Sequence, residues 1–354
     1  MKDINSILRS PIFFESNRVR RIYRGGALFA GFFGDRSEDG FYPEEWIASS
    51  VLALNDNSDG IEVTHEGISV VRGCDILFSE LVENYPRELF GERNDAGILV
   101  KMLDSAIRLP VQSHPDKAFA RQHFHSSYGK TESWVILGTR EDACIYYGFK
   151  DHVTKERFRA AVRESATNRD AMVPLLNRVP VKAGDVFLIA PKTVHAIGPG
   201  CLILETQEPT DFTIQPEAWC GDHILSEKEM YLGLDEEAAL GCFDYDTFGA
   251  ETVNMARQTP QVELSREGIQ LEWLISYDST PCFAVKQLTL EGASYTSLPR
   301  ASVCVIVEGE GEVSGMHGSE RVKKGDFFFV PHAAADSITL TGSMTAIFCL
   351  PPKG

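Results

Sequence analysis

Four short segments of this 354-residue chain gather side chains able to hold a metal ion or move a proton. Segment 109–116 reads LPVQSHPD and offers Gln112 and His114; segment 129–134 reads GKTESW and offers Lys130 and Glu132. The run 190–200, APKTVHAIGPG, places His195 in the loop after an apolar strand. The run 201–211, CLILETQEPTD, carries Glu205 and Gln207 two apart and ends on Asp211. Successive side chains of an extended backbone alternate between faces, so residues two apart share one. Gln112 with His114, Lys130 with Glu132, and Glu205 with Gln207 therefore pair up. Two histidines, a glutamate and a glutamine amide on strand ends suit Zn²⁺ in an open arrangement that keeps a position for water or substrate. Zinc held in that way is a Lewis acid toward a sugar carbonyl or hydroxyl. A core histidine satisfied by hydrogen bonds is the commoner use of such residues, so spacing by itself leaves the metal open.

The elements that must position these groups read mostly as short strands. Segments 96–103, 133–137, 143–147, 186–189 and 201–205 are rich in β-branched, aromatic and leucine residues, and most are bounded by turn residues. Helical spacing appears over 154–176, where Phe158, Ala161 and Val162 recur among charged residues and Pro174 ends the helix early. A second helix is expected over 226–240, with Ser226 as N-cap and Glu227 and Glu229 in its first turn. From about residue 258 the pattern returns to strands. One repeat is visible: 181–195 reads VKAGDVFLIAPKTVH and 322–336 reads VKKGDFFFVPHAAAD. Each is a tight Gly-Asp turn feeding a strand that a proline closes. Two copies about 140 residues apart suggest two related β-barrels, although the second copy ends on Asp336 where the first has His195. The His123-x-His125 pair lies in ARQHFHSSYGK, a helix end and loop, and reads as solvated.

Composition excludes several partners. Lys+Arg total 34 against 51 Asp+Glu, a formal charge of −17, which argues against nucleic acid and against an anionic membrane surface. An anionic metabolite could be held only by a few locally placed cations. At roughly 150 residues per domain the length suits about two domains. No apolar run resembles a signal peptide or a membrane span, so a soluble, cytoplasmic protein is expected. The eight cysteines form no C-x-x-C, and several sit in apolar runs, which predicts free buried thiols.

QSHPD, GKTESW and APKTVHAIGPGCLILE, in this order and separation, resemble the type I phosphomannose isomerases, zinc enzymes with a cupin fold. RIYRGGAL at 21–28, EEWIAS at 44–49 and LVKML at 99–103 extend the likeness, which is strong from about residue 18 to 211 and diffuse beyond. The resemblance implies a mainly β chain of two cupin-type (jelly-roll) barrel domains with helical insertions. The expected division is a catalytic domain at 1–257 and a degenerate, structural cupin at 258–354. The resemblance further implies that Gln112, His114, Glu132 and His195 bind one Zn²⁺. It makes Lys130 the active-site lysine, Lys101 a second lysine lining the site, and Glu44, Glu205 and Asp211 acidic groups in or beside the pocket. The implied reaction is aldose–ketose isomerisation, mannose 6-phosphate to fructose 6-phosphate, through a cis-enediolate whose charge zinc and a nearby cation stabilise. Lys130 first and Asp211 second are the bases to test.

Two departures from the family pattern bear on the anion. The family's arginine ten residues beyond Glu205 is Gln215 here, in DFTIQPEAW, and its serine two residues before the glutamine ligand is Pro110. An amide does not replace an always-charged guanidinium. Arg24, Arg108 and Lys150 are candidates to compensate, with Arg24 assigned to substrate. Three readings follow: a mannose-6-phosphate isomerase with a different cation, a same-fold zinc isomerase of another or non-phosphorylated sugar, or a non-catalytic zinc protein that binds sugar. On each the partner is a small sugar or sugar phosphate. No oligomeric state follows from the sequence.

Overall fold

Among the described residues strands hold more of the chain than helices and assemble into two large antiparallel sheets, the first carrying strands such as Leu99–Ser105 and Cys201–Gln207 buried on both faces. The computed structural model describes residues 3–55 and 65–353. The first sheet runs, edge to edge, Arg257–Gln258, Val186–Ile189, Glu132–Thr139, Cys201–Gln207, Leu99–Ser105, Glu44–Ile47 and Arg18–Val19. A smaller sheet, Leu176–Pro180, Cys144–Phe149 and His195–Ile197, shares a core with its inner face, where Trp134, Ile136, Phe187 and Ile203 meet Ile145, Tyr147 and Ile197. The second large sheet is built mainly from Ser302–Gly315, Thr339–Leu350, Ala284–Tyr295 and Ile269–Ile275. The fold is thus mainly β and cupin-type with helical insertions, as expected. Among the described residues neither large sheet closes into a complete barrel.

Alternation along each strand divides its residues between two tasks. On Leu99–Ser105, Val100 and Met102 enter a core shared with Val285, Val303, Val305 and Ile347 of the second sheet. Lys101 and Leu103 point the other way, into the cavity of the first unit. Leu202 and Leu204 likewise join the shared core, while Glu205 faces the cavity. The two sheets therefore pack back to back, and the Thr206 hydroxyl donates across the seam to Cys349 Sγ at 3.0 Å. The chain also crosses the seam at its edges. Ile12–Phe13 pairs with Phe327–Val330 of the second sheet, and Arg257–Gln258, at the expected domain boundary, pairs with Val186–Ile189 of the first.

The sequence repeat has a structural counterpart in backbone hydrogen bonds. Asp185 Oδ2 accepts from Lys182 N at 3.1 Å, and Asp326 Oδ2 accepts from Lys323 N at 2.8 Å. Gly184 and Gly325 sit at φ 90° and 93°, which glycine adopts at no steric cost. Their amides donate to Ile136 and Ile306, whose own amides donate back to the Asp185 and Asp326 carbonyls. The equivalence spreads across the sheets. Trp46, Lys101, Glu205, Trp134 and Phe187 lie in register on five strands of the first sheet. Trp273, Lys286, Phe348, Cys304 and Phe328 form the matching row in the second. Lys101 Nζ lies 4.6 Å from the centre of the Trp46 ring, and Lys286 Nζ 3.8 Å from that of Trp273.

Helices differ from expectation in extent. The 154–176 segment is helical only over Lys155–Ser165, capped by the Thr154 hydroxyl, and a 3-10 turn at Val173–Leu175 carries Pro174. The expected 226–240 helix is two short ones, Glu227–Tyr231 and Glu236–Leu240. Ser226 does form a capping box with Glu229, but Leu232 at φ 53° and Gly233 at φ 84° break the run. Lys117–Phe124 is a helix ending at an exposed His125, so the His123-x-His125 pair is not a strand signature. All eight cysteines are free, seven of them buried. No described helix is long and apolar enough to cross a membrane.

Candidate metal centre and its cavity

Gln112 and His195 are placed by an antiparallel bridge in which each backbone amide donates to the other's carbonyl at 2.9 Å. Ser113 and Ile214 exchange a second such pair, at 2.8 and 3.0 Å. Gln112 and His114, two apart, consequently project to one side. Lys130 and Glu132 project from the start of Glu132–Thr139, whose approach is tight. A Cβ on Gly129 would lie 2.7 Å from the Pro115 carbonyl oxygen, so the glycine of GKTESW is required by close backbone contact.

His114, Glu132 and His195 bring one donor atom each to within 4.8 Å of one another, all buried. His114 Nδ1–H donates to the Phe212 carbonyl at 2.9 Å, and His195 Nδ1–H to that of Thr193 at 2.8 Å. These bonds select the tautomers that leave both Nε2 lone pairs free, the arrangement metal-ligating histidines use. The two Nε2 atoms face each other at 3.1 Å. Glu132 Oε1, 3.6 Å from His195 Nε2, is buried with no hydrogen-bond partner. Two Nε2 atoms converge here beside an unsatisfied carboxylate oxygen, a donor set that a metal cation would join in place of the Lys130 ammonium, which donates to His114 Nε2. The Gln112 amide reaches His195 Nε2 at 3.4 Å and can present its carbonyl oxygen by a half-turn of the amide. These residues suit a divalent metal with nitrogen and oxygen ligands. Burial and the neighbouring His114 push the His195 imidazole down to about 3, so it is neutral and available as a ligand.

Lys130 Nζ donates to His114 Nε2 and to Glu132 Oε2, both at 2.8 Å. Beside it a cavity of about 540 Å³ is floored by Gln112 and Lys130 and walled by Lys101, Glu44, Glu205 and Asp211. Lys101 Nζ stands 3.5 Å from Asp211 and 3.8 Å from both Glu44 and Glu205. Glu44 accepts from Tyr23 Oη and from Trp46 Nε1, each at 2.7 Å. Burial raises the Glu44 carboxyl, but Arg21 and Lys101 more than reverse this and hold it below the ordinary carboxylate value. Glu205 accepts from Trp134 Nε1 at 3.1 Å, and burial together with the charge of Glu132 pushes it up to about 7. The Asp211 side chain is largely shielded from solvent, yet Arg21 and Lys101 hold it at about 2.

Eight of the residues singled out from the sequence, the four ligand candidates with Lys130, Lys101, Glu205 and Asp211, thus meet in one place, and Glu44 joins them. Gln215 lines the same cavity, but its amide donates to the Glu229 carbonyl at 3.1 Å and ties down the rim. Arg24 does not reach this cavity. It is exposed, with its guanidinium 5.2 Å from the centre of the Phe41 ring. Arg108 is spent on a fork to Glu217 at 2.6 and 2.7 Å, and Lys150 is exposed away from the cavity lining. The cation that does enter is Arg21, not singled out from the sequence. Its Nη2 lies 3.1 Å from both Asp211 oxygens, its Nε 3.1 Å from Glu44, and its Nη1 donates to Asn55 at 3.1 Å. Arg21 and Tyr23, two apart, turn inward, and Arg24 on the opposite side turns out. The available signal was Arg21's place at the head of RIYRGGAL.

The chain is similar to known mannose-6-phosphate isomerases. The cupin domain of mannose-6-phosphate isomerase, as a sequence family, matches residues 275–351. The mannose-6-phosphate isomerase of Streptococcus mutans serotype c is 29% identical over 92% of this chain and 93% of its own. Mannose-6-phosphate isomerase ManA of Bacillus subtilis is 28% identical over 92% and 94%. The crystal structure of a mannose 6-phosphate isomerase from Bacillus subtilis superposes with a TM-score of 0.74 at 26% identity, covering 96% of this chain and 99% of that one.

Proposed function

The chain belongs to the mannose-6-phosphate isomerase family of aldose–ketose isomerases, and from that premise we propose that it interconverts mannose 6-phosphate and fructose 6-phosphate with one Zn²⁺ held by Gln112, His114, Glu132 and His195. The observation that carries this reading is the unpartnered Glu132 oxygen beside two converging Nε2 atoms, buried next to the cavity. Bound zinc supplies Lewis acidity toward the sugar oxygens at C1 and C2. Everything else is the work of the chain. Arg21, Lys101 and Lys130 set three positive charges against four carboxylates, Glu44, Glu132, Glu205 and Asp211, a formal −1. A divalent ion brings that to +1, which suits a site where negative charge develops on oxygen.

Moving a proton between C1 and C2 needs a group that takes it and returns it. Lys130 Nζ, adjoining the ligand atoms and facing the cavity, is the first to test. Glu205 is the second, because a carboxyl near 7 exchanges protons readily at neutral pH. Asp211 serves better as a binding carboxylate, since Arg21 engages both its oxygens. Phe124, stacked on Phe212 with centroids 4.6 Å apart, and Leu109 shield one side of the cavity from water.

Metal analysis of the purified protein, paired with an isomerisation assay on mannose 6-phosphate and on mannose, tests the reading. About one zinc per chain is expected, with chelation abolishing turnover. His114→Ala should lose the metal and at least about a hundredfold in rate. A zinc-free protein whose turnover survives His114→Ala would end the proposal.

A further inference from the structure

Granting the isomerase reading, on which this inference rests, the buried wall of the cavity is a poor place for a phosphate. Each of its cations is already engaged with carboxylates: Arg21 with Glu44 and Asp211, Lys101 with those two and Glu205, Lys130 with Glu132. A phosphate dianion set there would face these carboxylates at close range, in surroundings where screening is weak.

A second hollow of about 460 Å³ adjoins the first and shares Arg21 and Asn55 with it. Arg20, Arg24 and His223 also line it, opposed by Asp222 and Glu229. Glu229 is occupied by His223 Nε2 at 2.9 Å and by the backbone and hydroxyl of Ser226 at 2.7 and 2.8 Å. Asp222 is turned toward Arg169 at 3.4 Å. Among the described residues Arg24 forms no ion pair; its carbonyl accepts from the Ala106 amide at 2.8 Å, and its exposed guanidinium lies over the Phe41 ring. With Arg21 engaged by Glu44 and Asp211, Arg20 and Arg24 are the groove's further arginines, in a chain of net charge −17. Such a concentration of like charge in a cleft draws anions, and a guanidinium fork matches a phosphate. The exposed Lys228 lines the main cavity and adds to the positive charge around it. We propose that the substrate's phosphate docks in this arginine-lined side groove, on Arg24, while the sugar's reacting end enters the buried cavity.

The test is steady-state kinetics of the zinc-loaded enzyme on mannose 6-phosphate and mannose, with inorganic phosphate as inhibitor. Arg24→Gln is compared with Arg178→Gln, which removes the same charge from an exposed arginine elsewhere that donates to the Asp142 carbonyl. Arg24→Gln should lower the ratio of kcat/KM for mannose 6-phosphate over mannose about tenfold or more, chiefly through KM, and weaken competitive inhibition by phosphate by about the same factor. Arg178→Gln should leave that ratio within about twofold. An unchanged ratio in Arg24→Gln overturns the proposal, and so does an equal fall in both variants, which marks long-range steering. Phosphate inhibition that depends on Arg24 but is not competitive with mannose 6-phosphate also overturns it, because the groove would then serve a separate phosphorylated ligand. If the wild type turns over neither sugar, the isomerase reading fails and this one with it.

Discussion

Lys101 sits among three carboxylates, and the order in which they release protons follows from their neighbours. Asp211, held at about 2 by Arg21 and Lys101 despite burial, lies below its ordinary 3.8. A carboxyl with a depressed folded value contributes stability that is present above pH 3.8 and is lost as pH falls toward 2. That contribution is on the order of 2 kcal/mol. Denaturant titrations of wild type and Asp211→Asn at pH 5 and at about pH 2.5 should therefore give a stability gap that narrows in acid. A gap that stays constant would show that the Arg21 pairing does not govern Asp211. At this scale the convergence of His114, Glu132 and His195 was legible in outline because a two-residue spacing survives in any extended backbone. Arg21 was not, since the run RRIYR offers three arginines and only a partner 190 residues away selects one.

The segment 212–217 illustrates what an element does without being a helix or a strand. Its Phe212 carbonyl orients His114, its Ile214 pairs with Ser113, and its fully buried Glu217 accepts from Arg108 and from the Val111 amide at 2.7 Å. It is a strap that holds the QSH turn against the candidate metal ligands. Glu217→Gln keeps the shape but weakens the fork to Arg108. Zinc affinity measured by chelator competition should fall about tenfold while the circular dichroism spectrum holds. An unchanged affinity would reduce Glu217 to a local ion pair. The strap was invisible in the sequence because no periodicity marks an irregular segment whose bonds are all to distant chain. The V-K-x-G-D turns were legible for the opposite reason: in each the aspartate closes a hydrogen bond to a backbone amide three residues earlier. The break of the 226–240 helix fell between these cases. Gly233 was in plain view, but a single glycine is tolerated in many helices, and here Leu232 turns left-handed before it.

The back-to-back sheets make the molecule one core with two interiors. Phe329 of the second sheet packs against Phe78 and Phe90 of the first unit's helices, with centroids 5.4 and 5.7 Å apart. Calorimetry should accordingly show one cooperative transition for the whole chain, and Phe329→Ala should cost about 3 to 5 kcal/mol and lower that single transition. Two separable transitions, with only one of them shifted, would show that the seam does not couple the units. The seam was hard to read from sequence because strands such as Leu99–Ser105 are buried on both faces, which blurs the alternation that would assign each face.

The matched rows across the two sheets bear on how this molecule can change over time. In the second copy Phe348 and Cys304 stand where the first has Glu205 and Trp134, and Ser302 stands where the first has Glu132. Buried charges and unsatisfied oxygens weaken a core, whereas phenylalanine strengthens one, so activity and robustness ordinarily compete within a single interior. Here the same architecture occurs twice, and the competition is distributed. The buried carboxylates fall in one copy, and Phe348 and Cys304 of its twin, joined along a continuous seam, stabilise the twin's own core.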